Sequence, residues 1–160
     1  KKKKKDQMQE RSGAGEMSVD ITRAFYSAIT ANVGDTGTNP VKTSVGSRIF
    51  ALEAPASSAL PLLVFSVSGS TASNYFDGAS MVQATVQVSI FGKTEAGVDA
   101  LSLVEAQVYA LIHDETVTGL PNLDRATIRS SSRGTPTLEG EYLRVDSTFI
   151  IEGTDSSATS

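Results

Sequence analysis

The sequence predicts an α+β domain: a mainly antiparallel or mixed five-stranded sheet with two helices packed on one face, in the order α-β-β-β-α-β-β. Three observations lead there. Residues 82–90 alternate strictly, with Val82, Ala84, Val86, Val88 and Ile90 on one side and Gln83, Thr85, Gln87 and Ser89 on the other. A helical apolar pattern follows at once over 95–113, carrying Val98, Leu101, Val104, Val108, Leu111 and Ile112. Alternation then returns over 141–151, where Leu143, Val145, Ser147, Phe149 and Ile151 oppose Tyr142, Arg144, Asp146, Thr148 and Ile150.

Each element has a local cause. Asp20 can cap a helix over 21–32, its carboxylate meeting free N–H groups, and Ile21, Phe25, Ala28 and Ile29 then share a face. Gly34, Gly37 and Asn39-Pro40 end that helix and open a loop to Gly46. A short strand over 47–53 and a loop over 54–59 follow. Pro61 opens the strand at 62–67, where a missing N–H is tolerated. Residues 69–80, rich in Ser and Gly, read as a long hairpin tip. Thr94 is the expected cap of the second helix, and 118–122 forms a turn around Gly119 and Pro121. Strands over 125–132 and 141–151 flank a Gly134-Thr135-Pro136 turn. Both helices belong on one side of the sheet, leaving the mixed face of the third and fifth strands to solvent or to another subunit.

The chain of 160 residues suits one compact domain over 20–152, between an arm at 1–19 and a flexible tail at 153–160. Met17-Ser18-Val19-Asp20 reads as a natural translation start, which makes the preceding stretch an extension. No run of 18 apolar residues predicts a membrane span, and the opening residues lack the apolar core of a signal peptide, so a cytoplasmic product without membrane contact is expected. With no cysteine, disulfides, thiolate catalysis and cysteine metal sites are excluded. Residues 1–16 carry six bases and three acids, so the remainder carries a net charge of −7 against −4 for the whole chain. Such a body repels a nucleic-acid backbone.

No motif indicates catalysis, and neither an enzyme nor a cofactor is expected. Gly92-Lys93-Thr94 resembles the end of a phosphate-binding loop, but Gln87 stands where that motif needs its first glycine. His113-Asp114-Glu115 are consecutive and splay around a helix end instead of converging on a metal. No Gly-x-Ser-x-Gly turn presents a serine to the single histidine.

Contact sites are the better candidates. The lysines Lys1, Lys2, Lys3, Lys4 and Lys5 offer salt-sensitive attraction without base reading, or a solvated or subunit-docking arm. Tyr75 and Phe76, followed by Asp77, either fold back on the core or face a partner. Arg129, Arg133 and Arg144, with Asp146, can pair across the last two strands, the default expectation, or across a subunit boundary.

The layout resembles the tail-completion or tail-terminator proteins of long-tailed bacteriophages, a group similar to the lambda-type minor tail protein U. A short helix and loop lead to Ser47-Arg48-Ile49-Phe50, then a proline-containing loop into Leu60-Pro61-Leu62-Leu63-Val64-Phe65. A hairpin with Asp77-Gly78 follows, then residues 84–91 running into a helix through Gly92-Lys93-Thr94-Glu95-Ala96, and the chain closes on Tyr142-Leu143-Arg144-Val145-Asp146-Ser147-Thr148-Phe149. The likeness covers residues 20–152 and excludes both ends. Leu62 stands where the family often has an aromatic.

This resemblance implies a virion protein of the tail or neck, made in the host cytoplasm. It implies a homo-oligomeric ring, usually of six copies, that caps the tail tube, stops its polymerisation and meets the head connector, with genomic DNA passing through the lumen. The tail tube protein and the connector are then its partners. Another neck or head–tail joining protein, or a small ligand-binding α+β domain, are the competing expectations.

Overall fold

The computed structural model describes residues 21–31, 37–74, 80–117 and 123–155. The first helix, α1, occupies 21–30 and buries Ile21, Ala24, Phe25 and Ile29. Its expected cap, Asp20, lies outside the described residues.

The loop predicted to begin at Asn39-Pro40 is instead the start of a second short helix, α2, Pro40–Val45. Pro40 occupies its first turn, where a missing N–H costs nothing, and the Asn39 side chain accepts from the Lys42 N–H at 3.0 Å. The same asparagine, only 4% exposed, donates through Nδ2 to the carbonyls of Ile29 at 2.9 Å and Ala31 at 2.6 Å. One side chain thus ends α1 and begins α2. Asn39→Ala removes the cap, worth about 1 kcal/mol, and leaves two carbonyls without these donors at about 0.5–1.5 kcal/mol each. A loss of about 2–4 kcal/mol in urea unfolding is expected.

Among the described residues seven strands form one mixed sheet, two more than predicted. They are β1 (Ile49–Ala51), β2 (Leu62–Asn74), β3 (Ser80–Lys93), β4 (Thr116–Val117), β5 (Leu123–Arg133), β6 (Thr137–Glu139) and β7 (Tyr142–Asp155). Their order is β1-β2-β3-β7-β5-β4, with β6 also paired to β7. β4 and β6 span two and three residues, too few to show a period of two. β1 lies parallel to β2, and the other pairs are antiparallel.

The stretch read as a hairpin tip, 69–80, is mostly ladder. β2 continues through a bulge between Val67 and Gly69 to Asn74, which pairs with Ser80. The small and polar run Gly-Ser-Thr-Ala-Ser-Asn hid the extension, because ladder hydrogen bonds need no apolar side chains. β7 likewise runs past Ile151 into residues that the sequence reading gave to the tail, with Gly153, Thr154 and Asp155 paired to Val82, Met81 and Ser80.

The third helix, α3, is Gly97–Ile112, preceded by a 3-10 turn at Thr94–Ala96. Thr94 is not its cap. The Thr94 hydroxyl donates to the Glu141 carbonyl at 2.7 Å and ties the turn to the β6–β7 hairpin. α3 buries Leu101, Val104, Val108, Leu111 and Ile112 as expected, but Val98, assigned to the same face, is 50% exposed. Starting the helix at Gly97 places Val98 in its first turn, away from the sheet.

The apolar sides of the strands face the helices. Phe25 of α1 meets Phe65 of β2 at 4.9 Å between ring centroids and Phe149 of β7 at 6.4 Å. Leu63, Val86, Val88, Ile90, Val145 and Ile128 complete the buried layer. Register confirms the shared face, because Val67, Val86 and Phe149 lie abreast.

Candidate functional site

The opposite face of the sheet is open. Abreast across it lie Leu62, Phe91 and Arg144, then Val64, Ser89 and Asp146, then Ser66, Gln87 and Thr148. The loop joining β1 to β2 stands against this face. Its backbone is held by Leu52 N–H donating to Phe65 O at 2.8 Å and Glu53 N–H to Ala51 O at 2.9 Å. The Ser58 hydroxyl donates to Pro55 O at 2.6 Å. Loop and sheet enclose a groove of about 680 Å³, walled by Leu52, Pro55, Leu60, Leu62, Val64 and Phe91 and closed at one side by Tyr142 and Arg144. Its volume falls within the roughly 300–1,000 Å³ typical of binding pockets.

Charges at the groove's end are already matched. Arg144 Nε donates to both oxygens of Asp146 at 2.9 and 3.1 Å, and its Nη1 donates to Glu139 of β6 at 3.1 Å. The Ser89 hydroxyl donates to Asp146 Oδ1 at 2.6 Å. The hydrogen bond to Asp146 raises the Arg144 pKa above its ordinary value despite partial desolvation. Arg144 also stands over the Phe91 ring at 5.3 Å, and Phe91 meets Tyr142 edge-on at 5.5 Å. Arg144 thus pairs with Asp146 on its own strand and with Glu139 on β6, a strand absent from the sequence reading, and not across the two strands expected from sequence.

Arg133 departs from that expectation. It reaches the helix face, where its Nε and Nη2 donate to Glu105 Oε1 and Oε2 at 2.9 and 2.8 Å. Glu105 is 6% exposed on α3 and also accepts from the Ser147 hydroxyl at 3.2 Å. The Glu105 hydrogen bond raises the Arg133 pKa. Its guanidinium lies 4.2 Å from the Tyr109 ring, which in turn stacks on His113 at 4.6 Å. This cluster pins α3 to β5 and β7, because a buried carboxylate needs such partners. Arg129 is exposed on the open face, abreast of Ile150. The three arginines therefore share no site. Tyr75, Phe76, Asp77 and Lys1 to Lys5 lie outside the described residues.

The chemistry-bearing motifs have other duties in the fold. Gly92 and Lys93 are paired to Leu143 and Tyr142, so their backbone belongs to a ladder. His113 Nδ1 accepts from the Ser130 N–H at 3.1 Å and caps the edge of β5, with Nε2 at 3.4 Å from Asp114. Among the described residues, no three His, Cys, Asp or Glu side chains are grouped to hold a metal ion. The groove-forming loop escaped sequence reasoning. The polar and aromatic side of β7 was legible as a second face, but nothing local shows that Leu52 to Leu60 stand over it.

No curated protein matches the sequence. A chain from a structure described as the virion of a native gene transfer agent particle shares the fold, with a TM-score of 0.59 at 13% identity, over 86% of this chain and 97% of that one. A second solved chain aligns with a TM-score of 0.57 at 16% identity, over 86% and 96%. The family model for tail completion protein gp17 matches residues 36–149, which take in α2, all of β1 to β6 and most of β7. The chain belongs to the tail completion protein gp17 family, and is a structural protein of the phage tail.

Proposed function

We propose that this protein forms a closed ring that caps the phage tail tube, ends its polymerisation and joins it to the head connector. The observation that carries this reading is the family match across 36–149, which takes in most of the sheet with α2 and α3. A role in assembly also suits a molecule whose charged clusters at Glu105–Arg133 and Asp146–Arg144 are internally matched. Rings arise when two different patches of one chain meet head to tail and the rotation closes, and such closure leaves no free sticky end. Six copies is the number the family resemblance implies. The net charge of −7 beyond residue 16 suits a channel wall, because like charge keeps a moving DNA duplex from adhering. In this reading the protein catalyses nothing, acts at the tail or neck, and takes the tube protein and the connector as partners.

Mass photometry of the full chain, with electron microscopy of particles, tests this. A ring of about six copies with density at the upper end of the tube is expected, as are overlong tubes when the protein is missing. Density at the portal alone would make it another neck protein. A single copy in an intact virion would end the ring reading.

A further inference from the structure

Among the described residues none occupies the groove on the open sheet face, and its build says what it takes. Leu52 stands on its rim 75% exposed, held there by a left-handed backbone (φ 71) that a leucine rarely adopts. Beside it lie Leu60, Leu62, Val64 and Phe91. Arg144 is already matched by Asp146 and Glu139, so the recess offers apolar and aromatic contact and leaves little demand for a charged ligand.

We propose that this groove receives the β2–β3 hairpin tip, residues 75–79, of a second copy of this chain. The inference rests on the ring reading above and specifies its contact. The tip reads Tyr-Phe-Asp-Gly-Ala, and it joins Asn74 to Ser80, the last paired residues of the two strands. From Val64 in the groove to Asn74 the ladder runs ten residues, about 30 Å at roughly 3.3 Å per residue. Five residues anchored at Asn74 and Ser80 cannot span that distance, so a 75–79 segment seated in a groove comes from a neighbour. Adjacent aromatics filling an apolar recess are the usual anchors of an interface. The groove and the paired residues Asn74 and Ser80 lie at opposite ends of one strand pair, which makes the proposed contact head to tail, the kind that closes a ring.

The chain contains no cysteine, so introduced thiols report this contact without background. Leu52→Cys and Phe76→Cys are made singly and together in the full chain, then oxidised mildly, both as pure protein and in assembled tails. Leu52 is exposed, so its replacement leaves the fold intact. A mixture of the single variants is expected to give one disulfide-linked pair joining 52 to 76, and the double variant a ladder ending at the closed ring. Neither single variant alone should link. A Phe76→Asp chain, with an unchanged unfolding midpoint, should assemble about tenfold less at fixed concentration.

A link within one double-variant chain would show the tip folding back, and self-linking of Leu52→Cys would show a two-fold contact. Either overturns the proposal. Rings seen by mass photometry without the 52–76 link would overturn it while leaving the ring reading intact. Chains that never associate and occur singly in particles would remove both.

Discussion

Val86→Asp is expected to abolish cooperative folding. Val86 has no exposure, sits on the central strand β3, and lies abreast of Val67 on β2 and Phe149 on β7. A carboxylate there meets only apolar neighbours, and burying an unpaired charge costs several kcal/mol even after relaxation. Domains of this size are stable by about 5–15 kcal/mol, so one substitution consumes most of that margin. The control is one residue away. Gln87 is exposed on the open face, and Gln87→Asp should change stability by less than about 0.5 kcal/mol. Circular dichroism and urea titration of the pair read the result. A well-folded Val86→Asp protein would mean that the two faces of the sheet are reversed.

Gly134→Ala is the second large effect, expected to cost about 2–4 kcal/mol. Gly134 lies in the three-residue link between β5 and β6, which pair with β7 in succession. A Cβ added there would overlap the carbonyl oxygen of Asp146 and come within 3.2 Å of that residue's backbone nitrogen. The obstacle is main chain in the middle of a ladder, so no side chain can swing aside. The link must move, taking β6 and Glu139 with it, and the Arg144 bridge to Glu139 should weaken in consequence. A lower urea midpoint with unchanged slope is the expected readout. Gly140 supplies the contrast: its φ is 63, but nothing stands within 4 Å of a Cβ there. An alanine at 140 meets backbone strain alone, about 1 kcal/mol.

Several features were legible before any coordinates. The two sides of β3 and β7 follow from alternation, which put Ser147 on the apolar side, where it needs a partner. That partner is Glu105, the one charged residue on the buried face of α3. The pairing itself was not legible, because 42 residues separate the two and several serines compete. Asn39-Pro40 illustrates the same limit at short range. Gly34, Gly37 and Asn39-Pro40 read together as a helix stop and a loop, whereas Asn39 binds the carbonyls of the helix behind it and caps the helix ahead of it.

The candidate site was half visible. Tyr142, Arg144 and Asp146 were assigned to one face from their spacing, and they do line or support the groove. The opposing wall, Leu52 to Leu60, depends on the parallel placement of β1 against β2 and on left-handed backbone at Leu52 and Ser57. Neither leaves a periodic trace. Arg133 shows the converse. Grouped with Arg144 by sequence, it turns to the other side of the sheet because a bulge in β5 between Ser130 and Ser132 shifts the register.

Side-chain period is a local quantity, so residue order alone settles which side of each long strand is buried and where an amphipathic helix runs. Adjacency is not local. Which strand lies parallel to which, where a bulge turns an arginine inward, and how a connecting loop closes a groove over the open face depend on contacts between residues distant in sequence. Those contacts form only when the whole sheet is assembled.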